Sequence, residues 1–303
     1  MAAESAEIRF ARYKAIVDDW PAFVESCKTP LPRVLWANPL AGDLERTHQL
    51  VMAQWPEAQP LPWREHAWRF HPGTPLGNTR PYSLGLVHAQ EESALWAVDA
   101  LGLQPGMRVL DLCAAPGNKT AQIAVALGDR GLVVANERKS SRVAGLRGNL
   151  SRLRVTCAAV CCGDGVRFRS ETLFDAVLVD VPCSCEGTAR KHLAEGHRGG
   201  AGEYRESITQ IQTALLRNAA RHTRPGGTIV YSTCTFAPEE NEGVLQRVPE
   251  LEVVPIAAPP LHTSPALGEW NGARFRADTS HALRLWPHHN DTGGFFVAKL
   301  RKG

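Results

Sequence analysis

From about residue 89 onward, short apolar runs alternate with segments whose apolar residues recur at helical spacing. The apolar runs predict strands at 107–113, 131–137, 155–161, 174–181 and 228–232. The segments with helical spacing predict helices at 89–101, 118–127, 140–153 and 208–224. This alternation predicts an α/β fold built on a doubly wound parallel sheet. Two last apolar runs, 282–286 and 294–300, predict an antiparallel hairpin added to that sheet.

The first 72 residues follow a different pattern and are rich in tryptophan and proline. They predict helices at 8–20 and 44–54 and strands at 33–37 and 63–70, with Pro21 ending the first helix. The segment 71–78 contains proline and glycine and predicts a linker. We therefore expect a small α+β module at 1–72, followed by one larger domain at 73–303.

Two cysteines occupy matching places in the predicted sheet. Cys183 follows the predicted strand 174–181, and Cys234 follows the predicted strand 228–232. The carboxyl ends of parallel strands meet at one edge of the sheet, which is where ligands bind in open α/β folds. Two thiols at that edge fit a disulfide, a metal site, or a nucleophile with a second thiol that assists it. Their position alone does not choose among the three.

The loop after the first predicted strand, residues 113–119, has the composition of a ligand-binding loop. Its small residues let the backbone approach a ligand closely, and the helix that follows offers unpaired N–H groups. The loop contains neither G-x-G-x-x-G nor G-x-x-x-x-G-K-[ST], which argues against a dinucleotide fold and a phosphate-binding loop. Glu137 ends the second predicted strand, where an acid can accept hydrogen bonds from ribose hydroxyls. Asp164 follows the third and is a candidate for an adenine amino group. Single acids commonly cap turns, but three such elements in order predict a nucleoside cofactor.

Composition narrows the class of protein. At 303 residues and 44% hydrophobic, the chain can bury a full-sized core. It has no apolar stretch of the roughly 18 residues that a membrane helix needs. Its acidic N-terminus lacks the pattern of a signal peptide. We therefore expect a cytoplasmic protein without membrane association, whose eight cysteines are reduced.

The cysteine spacing shows no zinc pattern. The pairs at 161–162 and 183–185 each lack the second pair that a zinc site shows, so no metal is expected. The remaining expectations are buried core positions for Cys27, Cys157 and Cys161, and surface positions for His288 and His289.

The net charge is only +3, but the basic residues are clustered. Between residues 138 and 154 the chain carries no acidic residue and the following basic ones: Arg138, Lys139, Arg142, Arg147, Arg152 and Arg154. Such a surface suits a polyanionic partner such as nucleic acid. A solvated helix face is the alternative interpretation for any one of these residues, so the cluster favours RNA or DNA only together with other signals.

Three segments together resemble the Sun-type (Nol/Nop/Sun) RNA cytosine-5 methyltransferases. They are 110–120, 180–184, and 231–235 followed by Pro-Glu-Glu-Asn-Glu at 238–242. The resemblance runs from about residue 85 to 301 and implies a Rossmann-like class I methyltransferase sheet that uses S-adenosylmethionine. It places the following residues around the cofactor and the target base: Cys113, Ala114, Ala115, Pro116, Gly117, Asn118, Lys119, Glu137, Arg142, Asp164 and Asp180.

The chemistry implied by this resemblance explains why two thiols are present. Carbon 5 of cytosine is too weak a nucleophile to attack a methyl sulfonium unaided, and addition of a thiolate to carbon 6 turns the ring into an enamine. The resemblance implies that Cys234 attacks and that Cys183 assists release. We expect Asp180 to hold or protonate the ring edge, and Lys119 to act with these residues. The attacking thiol should be partly ionised, and Lys119 and Arg190 are the candidates for lowering its pKa.

Three positions depart from the family's pattern. Asn118 and Cys185 stand where glycine is usual, and Trp36 stands where relatives often carry arginine. Asparagine tolerates unusual backbone angles, so we expect cofactor binding to survive. Cys185 either crowds the base pocket or adds a third thiol to it, and Trp36 weakens the case for an RNA contact at that position. Because the sequence ends after the hairpin, we expect target choice to depend on the N-terminal module and the basic surface.

The expected function is methylation of RNA cytosine at carbon 5 by a monomeric enzyme, with ribosomal RNA as first substrate and transfer RNA as second. One alternative is a catalytically silent RNA-binding assembly factor, against which the intact Cys183, Cys234, Asp180 and Lys119 argue. Another is a methyltransferase for DNA or for a small molecule. A small-molecule enzyme would leave both cysteines without a role.

Overall fold

The computed structural model describes residues 6–191, 202–259 and 261–303, with side chains from 205 onward in the second range. The α-helices within these ranges are α1 (Ala6–Phe10), α2 (Trp20–Ser26), α3 (Leu44–Gln54), α4 (Arg80–Ser83), α5 (Glu92–Asp99), α6 (Asn118–Ala126), α7 (Ser140–Arg152), α8 (Gly202–His222), α9 (Glu242–Gln246) and α10 (Pro287–Asn290). The strands are β1 (Arg33–Ala37), β2 (Gln59–Pro60), β3 (Ala67–Phe70), β4 (Val87–Ala89), β5 (Arg108–Asp111), β6 (Leu132–Glu137), β7 (Ala158–Cys162), β8 (Phe174–Asp180), β9 (Thr223–Thr233), β10 (Leu251–Val254), β11 (Ser264–Pro265), β12 (Glu269–Trp270), β13 (Ala273–Arg274), β14 (Leu283–Leu285) and β15 (Phe295–Lys302).

The main sheet confirms the predicted α/β class. Its order is β11-β14-β15-β9-β8-β5-β6-β7, and β10 also pairs with β15. Strands β5 to β9 are parallel to their neighbours, whereas β15 runs antiparallel to β9 and pairs with β14 as the predicted hairpin. One face packs on α8 through Leu216, and the other packs on α5 and α6 through Trp96 and Ile123. Because helices cover both faces, the central strands are continuous apolar runs.

The N-terminal sheet extends past the predicted domain boundary. Its order is β2-β3-β1-β4, and Leu35 of β1 pairs with Ala89 of β4. This sheet therefore continues past the expected boundary at residue 72, and the loop at 71–78 lies between two of its strands. For the same reason the helix predicted from residue 89 begins only at Glu92.

The helix predicted at 8–20 is wrong. Helix α1 ends at Phe10, and the next α-helix begins at Trp20. Pro21 lies in the first turn of α2 and the Asp19 carboxylate accepts a hydrogen bond from Ala22 N at 3.0 Å. A proline fits the first turn of a helix because its missing N–H has no partner there. Pro21 therefore starts a helix and does not end one.

Some expectations about cysteine and histidine burial are also corrected. Cys27 is buried as predicted, but Cys157 is only partly buried and Cys161 is exposed. Cys161 lies on β7, the last strand of the sheet, which leaves it open to solvent. The His288 and His289 side chains, expected at the surface, are 3% and 8% exposed and each binds the Asp18 carboxylate at 2.9 Å.

Within the ranges that the structure describes, none of the helices combines the length and the apolar character needed to cross a bilayer.

Candidate active site

Cys183 and Cys234, which were predicted to share one edge of the sheet, lie close together at the carboxyl edge of the main sheet. Strands β8 and β9 are parallel neighbours with Asp180 paired to Ser232, and Cys183 and Cys234 follow their ends. The Sγ atoms of Cys183 and Cys234 lie 3.4 Å apart. A third sulfur, that of Cys185, lies 3.8 Å from Cys183 Sγ. Strand order therefore unites thiols that are 51 residues apart in sequence.

Asp180 and Lys119 form an ion pair at this edge. Lys119 Nζ donates a hydrogen bond to Asp180 Oδ2 at 2.8 Å, and the Ser232 hydroxyl donates to Asp180 Oδ1 at 2.7 Å. The side chains of Lys119 and Asp180 are 13% and 31% exposed. Burial opposes charge on Lys119, but the Asp180 carboxylate outweighs it and the pKa of Lys119 is raised. Lys119 is therefore held as an ammonium, and its hydrogen bond with that of Ser232 holds the Asp180 side chain in one orientation.

These groups surround a cavity of about 160 Å³. Its walls come from Gln90, Glu91 and Ala94, from the loop residues Cys113, Ala114, Ala115, Pro116, Asn118 and Lys119, from Asp111, Asp180 and Cys234, and from Gly187, Thr188, Lys191, Gly293, Gly294 and Phe295. Most of the predicted cofactor loop and the predicted catalytic carboxylate thus share one cavity with Cys234.

Backbone hydrogen bonds hold together the part of the cavity wall that contains Gly187 and Gly294. Gly187 N donates to Cys234 O at 2.9 Å, and Gly294 N donates to Gly187 O at 2.9 Å. A Cβ on Gly187 would lie 2.3 Å from Gly294 O, a contact that real Cβ atoms do not make. Glycine is therefore required here because three loops meet through their backbones.

Buried polar groups tie the two cysteine loops together. The hydroxyls of Ser184 and Thr235 lie 2.6 Å apart, and the Glu240 carboxylate accepts a hydrogen bond from Ser184 N at 2.9 Å. Thr235 also donates to Glu186, which accepts the Tyr13 hydroxyl at 2.5 Å. The N-terminal segment is thereby anchored to the loop that carries Cys183.

The electrostatics of Cys234, the thiol expected to attack, differ from the expectation. The hydrogen bond with Cys183 lowers the pKa of Cys234, but hydrogen bonding with Cys185 and burial outweigh it, so this pKa lies well above its usual range. Lys119 is engaged by Asp180. Arg190 is not available, because it binds Asp291 at 2.5 Å and the carbonyl of Thr292 at 2.9 Å. The expected lowering of the thiol pKa is therefore wrong for this geometry.

The cofactor loop shows where its glycine is needed. Gly117 has a φ of +105° and caps α6, and a Cβ there would lie 2.9 Å from Leu146 Cδ1. Asn118 begins α6 with an ordinary backbone, and its Oδ1 lies 3.0 Å from His88 Nε2. The departure at Asn118 therefore needs no unusual angle. At Cys185, by contrast, φ is +57°, the left-handed region that favours glycine.

Asp111 is a site residue that sequence reasoning missed. It ends β5, accepts a hydrogen bond from the Thr120 hydroxyl at 2.7 Å, and lines the cavity. Burial raises the pKa of Asp111 to about 7, and its Oδ1 has no hydrogen-bond partner among the described residues. The available signal was its position, because it ends a parallel strand as Asp180 does.

Glu137, Arg142 and Asp164 lie at the same sheet edge but do not line this cavity. Arg142 Nη1 lies 3.2 Å from the Glu137 carboxylate, and Arg142 Nη2 donates to Ala115 O at 2.6 Å. Arg142 thus links Glu137 to the cofactor loop. Asp164 accepts a hydrogen bond from Val166 N at 3.0 Å and caps a short 3₁₀ helix.

Trp36, where an RNA contact was in doubt, and Arg152, from the predicted basic cluster, both make contacts inside the protein. Trp36 is 3% exposed and its indole N–H donates to Gln90 at 3.2 Å, so it lies in the core. Arg152 donates to Tyr82 O at 2.8 Å and lies 2.7 Å from His88 Nδ1. Both residues join the N-terminal module to the main domain. Within the predicted basic cluster at 138–154, the following residues are exposed: Arg138, Lys139, Arg142, Arg147 and Arg154.

Comparison with known proteins agrees with this site. The family model for the 16S rRNA methyltransferase RsmB/F matches residues 98–301. The chain is 40% identical to ribosomal RNA small subunit methyltransferase F of Erwinia tasmaniensis over 94% of its own length, and spans 60% of that relative. It is 36% identical to tRNA (cytosine(49)-C(5))-methyltransferase of Pyrococcus abyssi, over 96% of this chain and 94% of that one.

A solved structure shares the fold along almost the whole chain. The methyltransferase homolog protein from Pyrococcus horikoshii matches with a TM-score of 0.85 and 28% identity, over 98% of both chains. The family match covers more than two thirds of this chain. The match to the Pyrococcus abyssi relative covers most of both chains. The chain belongs to the 16S rRNA methyltransferase RsmB/F family.

Proposed function

We propose that this chain transfers a methyl group from S-adenosylmethionine to carbon 5 of a cytosine in RNA, through a covalent bond between Cys234 and the base. The observation that carries the proposal is the meeting of Cys234 and Cys183, 3.4 Å apart, in the neighbourhood of the Lys119–Asp180 ion pair. A thiol pair and a charged carboxylate at one sheet edge suit covalent catalysis on a base. Membership of the RsmB/F family supports the same activity.

The residues present fit a nucleoside methyl donor. Gly117 lets the loop pack closely against Leu146, and the Asp111 carboxylate at the cavity carries a buried oxygen without a hydrogen-bond partner among the described residues. The Glu137 carboxylate lies at the end of the neighbouring strand, where ribose hydroxyls are bound in such sheets. In this proposal residues 113–119 and Glu137 hold the donor, with Arg142 and Asp164 beside them. The donor supplies an electrophilic methyl group on a sulfonium sulfur.

The first covalent step belongs to Cys234. Its thiol proton passes to the Asp180 carboxylate, its sulfur bonds to carbon 6 of the cytosine, and the electron pair of the ring double bond becomes available at carbon 5. Asp180, held by Lys119 and by Ser232, gives this proton to ring nitrogen 3, so the adduct is a neutral enamine. Because the pKa of Cys234 is raised, proton loss accompanies attack.

Release needs a second group near the adduct. After methyl transfer, carbon 5 carries both a hydrogen and the new methyl group. Cys183, as a thiolate that has given its own proton to solvent, accepts the hydrogen of carbon 5 as a proton, and the double bond between carbons 5 and 6 forms again. The bond from carbon 6 to Cys234 breaks with its electron pair returning to sulfur, and the proton on ring nitrogen 3 returns to that sulfur through Asp180. The 3.4 Å separation of the two sulfurs keeps Cys183 within reach of the same ring.

The RNA partner is inferred from charge and from relatives. Arg138, Lys139, Arg147 and Arg154 are exposed on or beside α7 and suit a phosphate backbone. Curated relatives are named for both ribosomal and transfer RNA, so we infer ribosomal RNA as first substrate and transfer RNA as second. The N-terminal module extends the RNA surface. We infer a cytoplasmic monomer.

The test is methyl transfer from labelled S-adenosylmethionine to total RNA or to DNA, with the modified base mapped by sequencing. We expect label in RNA at cytosine, lost in Cys234→Ala and retained in Cys162→Ser, whose cysteine is exposed and is not among the residues that line the cavity. Absence of label in every RNA class would support a catalytically silent assembly factor. Label in DNA alone would support a different substrate.

A further inference from the structure

The third thiol at the active site is not used by the proposed reaction. Cys185 precedes the 3₁₀ helix Glu186–Lys191, and its carbonyl accepts two hydrogen bonds from Thr188, at 2.9 Å from N and 2.8 Å from Oγ1. Its φ of +57° is unfavourable for a side chain with a Cβ, by about 1 kcal/mol. A cysteine therefore occupies a strained position that directs a sulfur toward the other two.

The three sulfurs have the spacing of a thiolate metal site. Cys183 Sγ lies 3.4 Å from Cys234 Sγ and 3.8 Å from Cys185 Sγ, and all three lie within 4.8 Å of one another. For zinc–sulfur bonds of about 2.3 Å, sulfurs sit roughly 3.8 Å apart in a tetrahedral site and roughly 4.0 Å apart in a trigonal one. A cation could therefore be bound with sub-ångström shifts of the side chains.

We propose that Cys183, Cys185 and Cys234 together bind one thiophilic divalent cation, of the Zn²⁺ or Cd²⁺ class, and that this cation blocks the nucleophile. Binding forms three metal–sulfur bonds and releases three thiol protons to solvent, and no electron is transferred. Cys234 lines the cavity, so a cation has a path to the sulfurs and a water has room as a further ligand.

The charge and the donor type of such a complex favour a soft cation. Three thiolates and one divalent cation leave one net negative charge, much less than three uncompensated thiolates would carry. Soft sulfur donors also discriminate against Mg²⁺ and Ca²⁺, which prefer oxygen ligands. Methyl transfer would thus respond to thiophilic metals and not to the cations that RNA requires.

Binding can be measured without any methyl transfer. The reduced full chain is titrated with Cd²⁺ alone, and the ultraviolet thiolate-to-cadmium absorption is followed. We expect one tight site per chain. Cys185→Ala and Cys185→Gly should each weaken it by about 100-fold or more, because loss of an outer-shell partner alone costs 10–100-fold. Cys185→Gly suits the left-handed φ, so its folding is secure.

The control is the double variant Cys161→Ser with Cys162→Ser, which removes the two exposed cysteines of β7. It should keep the tight site. Equal Cd²⁺ affinity in the Cys185 variants and the unchanged chain would overturn the proposal, and so would loss of the site in the double variant.

The proposed inhibition of methyl transfer by the bound cation rests on the proposed function. One equivalent of Cd²⁺ should abolish methylation of RNA and a chelator should restore it, while the Cys185 variants still methylate and resist Cd²⁺. If the chain proves not to methylate, the titration still stands or falls by itself. If the Cys185 variants lose activity at the same Cd²⁺ concentration as the unchanged chain, the proposed block is wrong.

Discussion

Replacing Asp180 with asparagine leaves the Lys119 ammonium without its counter-charge and keeps an oxygen that can accept the Ser232 hydroxyl. Removing one partner of a buried ion pair costs about 3–5 kcal/mol. Because the Asp180 side chain retains 31% exposure, we expect the lower value, about 3 kcal/mol. With an unfolding entropy of about 2 cal/mol/K per residue over 303 residues, this lowers Tm by roughly 5 °C.

The pH dependence gives the sign of the effect. Asp180 raises the pKa of Lys119, so its stabilisation is fully present below the unfolded lysine pKa of about 10.4 and is lost as pH rises through the folded value. In Asp180→Asn the carboxylate no longer offsets burial, which lowers the pKa of Lys119. The buried ammonium therefore destabilises the folded variant at neutral pH, and this cost decreases as pH approaches 10 and Lys119 loses its proton. The Tm difference should therefore narrow between neutral pH and pH 10.

The assay is thermal unfolding by circular dichroism at pH 7, 9 and 10, together with methyl transfer. Glu25→Gln is the matched control, because Glu25 pairs with Lys28 and both side chains are more than half exposed, at 70% and 53%. That pair should contribute at most about 1 kcal/mol. Equal Tm values for Asp180→Asn and Glu25→Gln, or a deficit that does not change with pH, would refute the reasoning.

Two further substitutions test how the loops are held. Gly187→Ala should reduce methyl transfer at least tenfold and lower the free energy of unfolding by about 1–3 kcal/mol, because its Cβ would lie 2.3 Å from Gly294 O. Gly77→Ala is the control, because a Cβ at Gly77 would have no atom within 4 Å, and it should match the unchanged chain in the same assays. Tyr13→Phe should lower the free energy of unfolding in urea by about 1–3 kcal/mol, because it removes a donor from the buried Glu186 carboxylate, and an unchanged midpoint would show that the N-terminal segment is not anchored there.

The sequence predicted the main domain well because both faces of its sheet are buried. Strands such as β5 and β8 are short apolar runs, and amphipathic helices separate the parallel strands, so their periodicity is clear. The N-terminal module was predicted less well. Strand β4 has only three residues, too few for a period, and it joins its sheet only by pairing with β1.

Local sequence patterns also predicted only part of the candidate site. Cys183 and Cys234 could be placed at one edge because each follows a strand. The grouping of three sulfurs could not be predicted, since Cys183 and Cys185 are only two residues apart in sequence and Cys234 joins them through strand order alone. The burial of His288 and His289 likewise depends on Asp18, about 270 residues away.

The most direct test of the account is to trap the covalent adduct. The chain is incubated with S-adenosylmethionine and target RNA, denatured, and separated by mobility. In Cys183→Ala, a denaturation-resistant protein–RNA species carrying the transferred methyl group should accumulate, because release lacks its base. Cys183→Ala combined with Cys234→Ala should form none. Normal turnover by Cys183→Ala, or an adduct that survives loss of Cys234, would contradict the assignment of attack to Cys234 and release to Cys183.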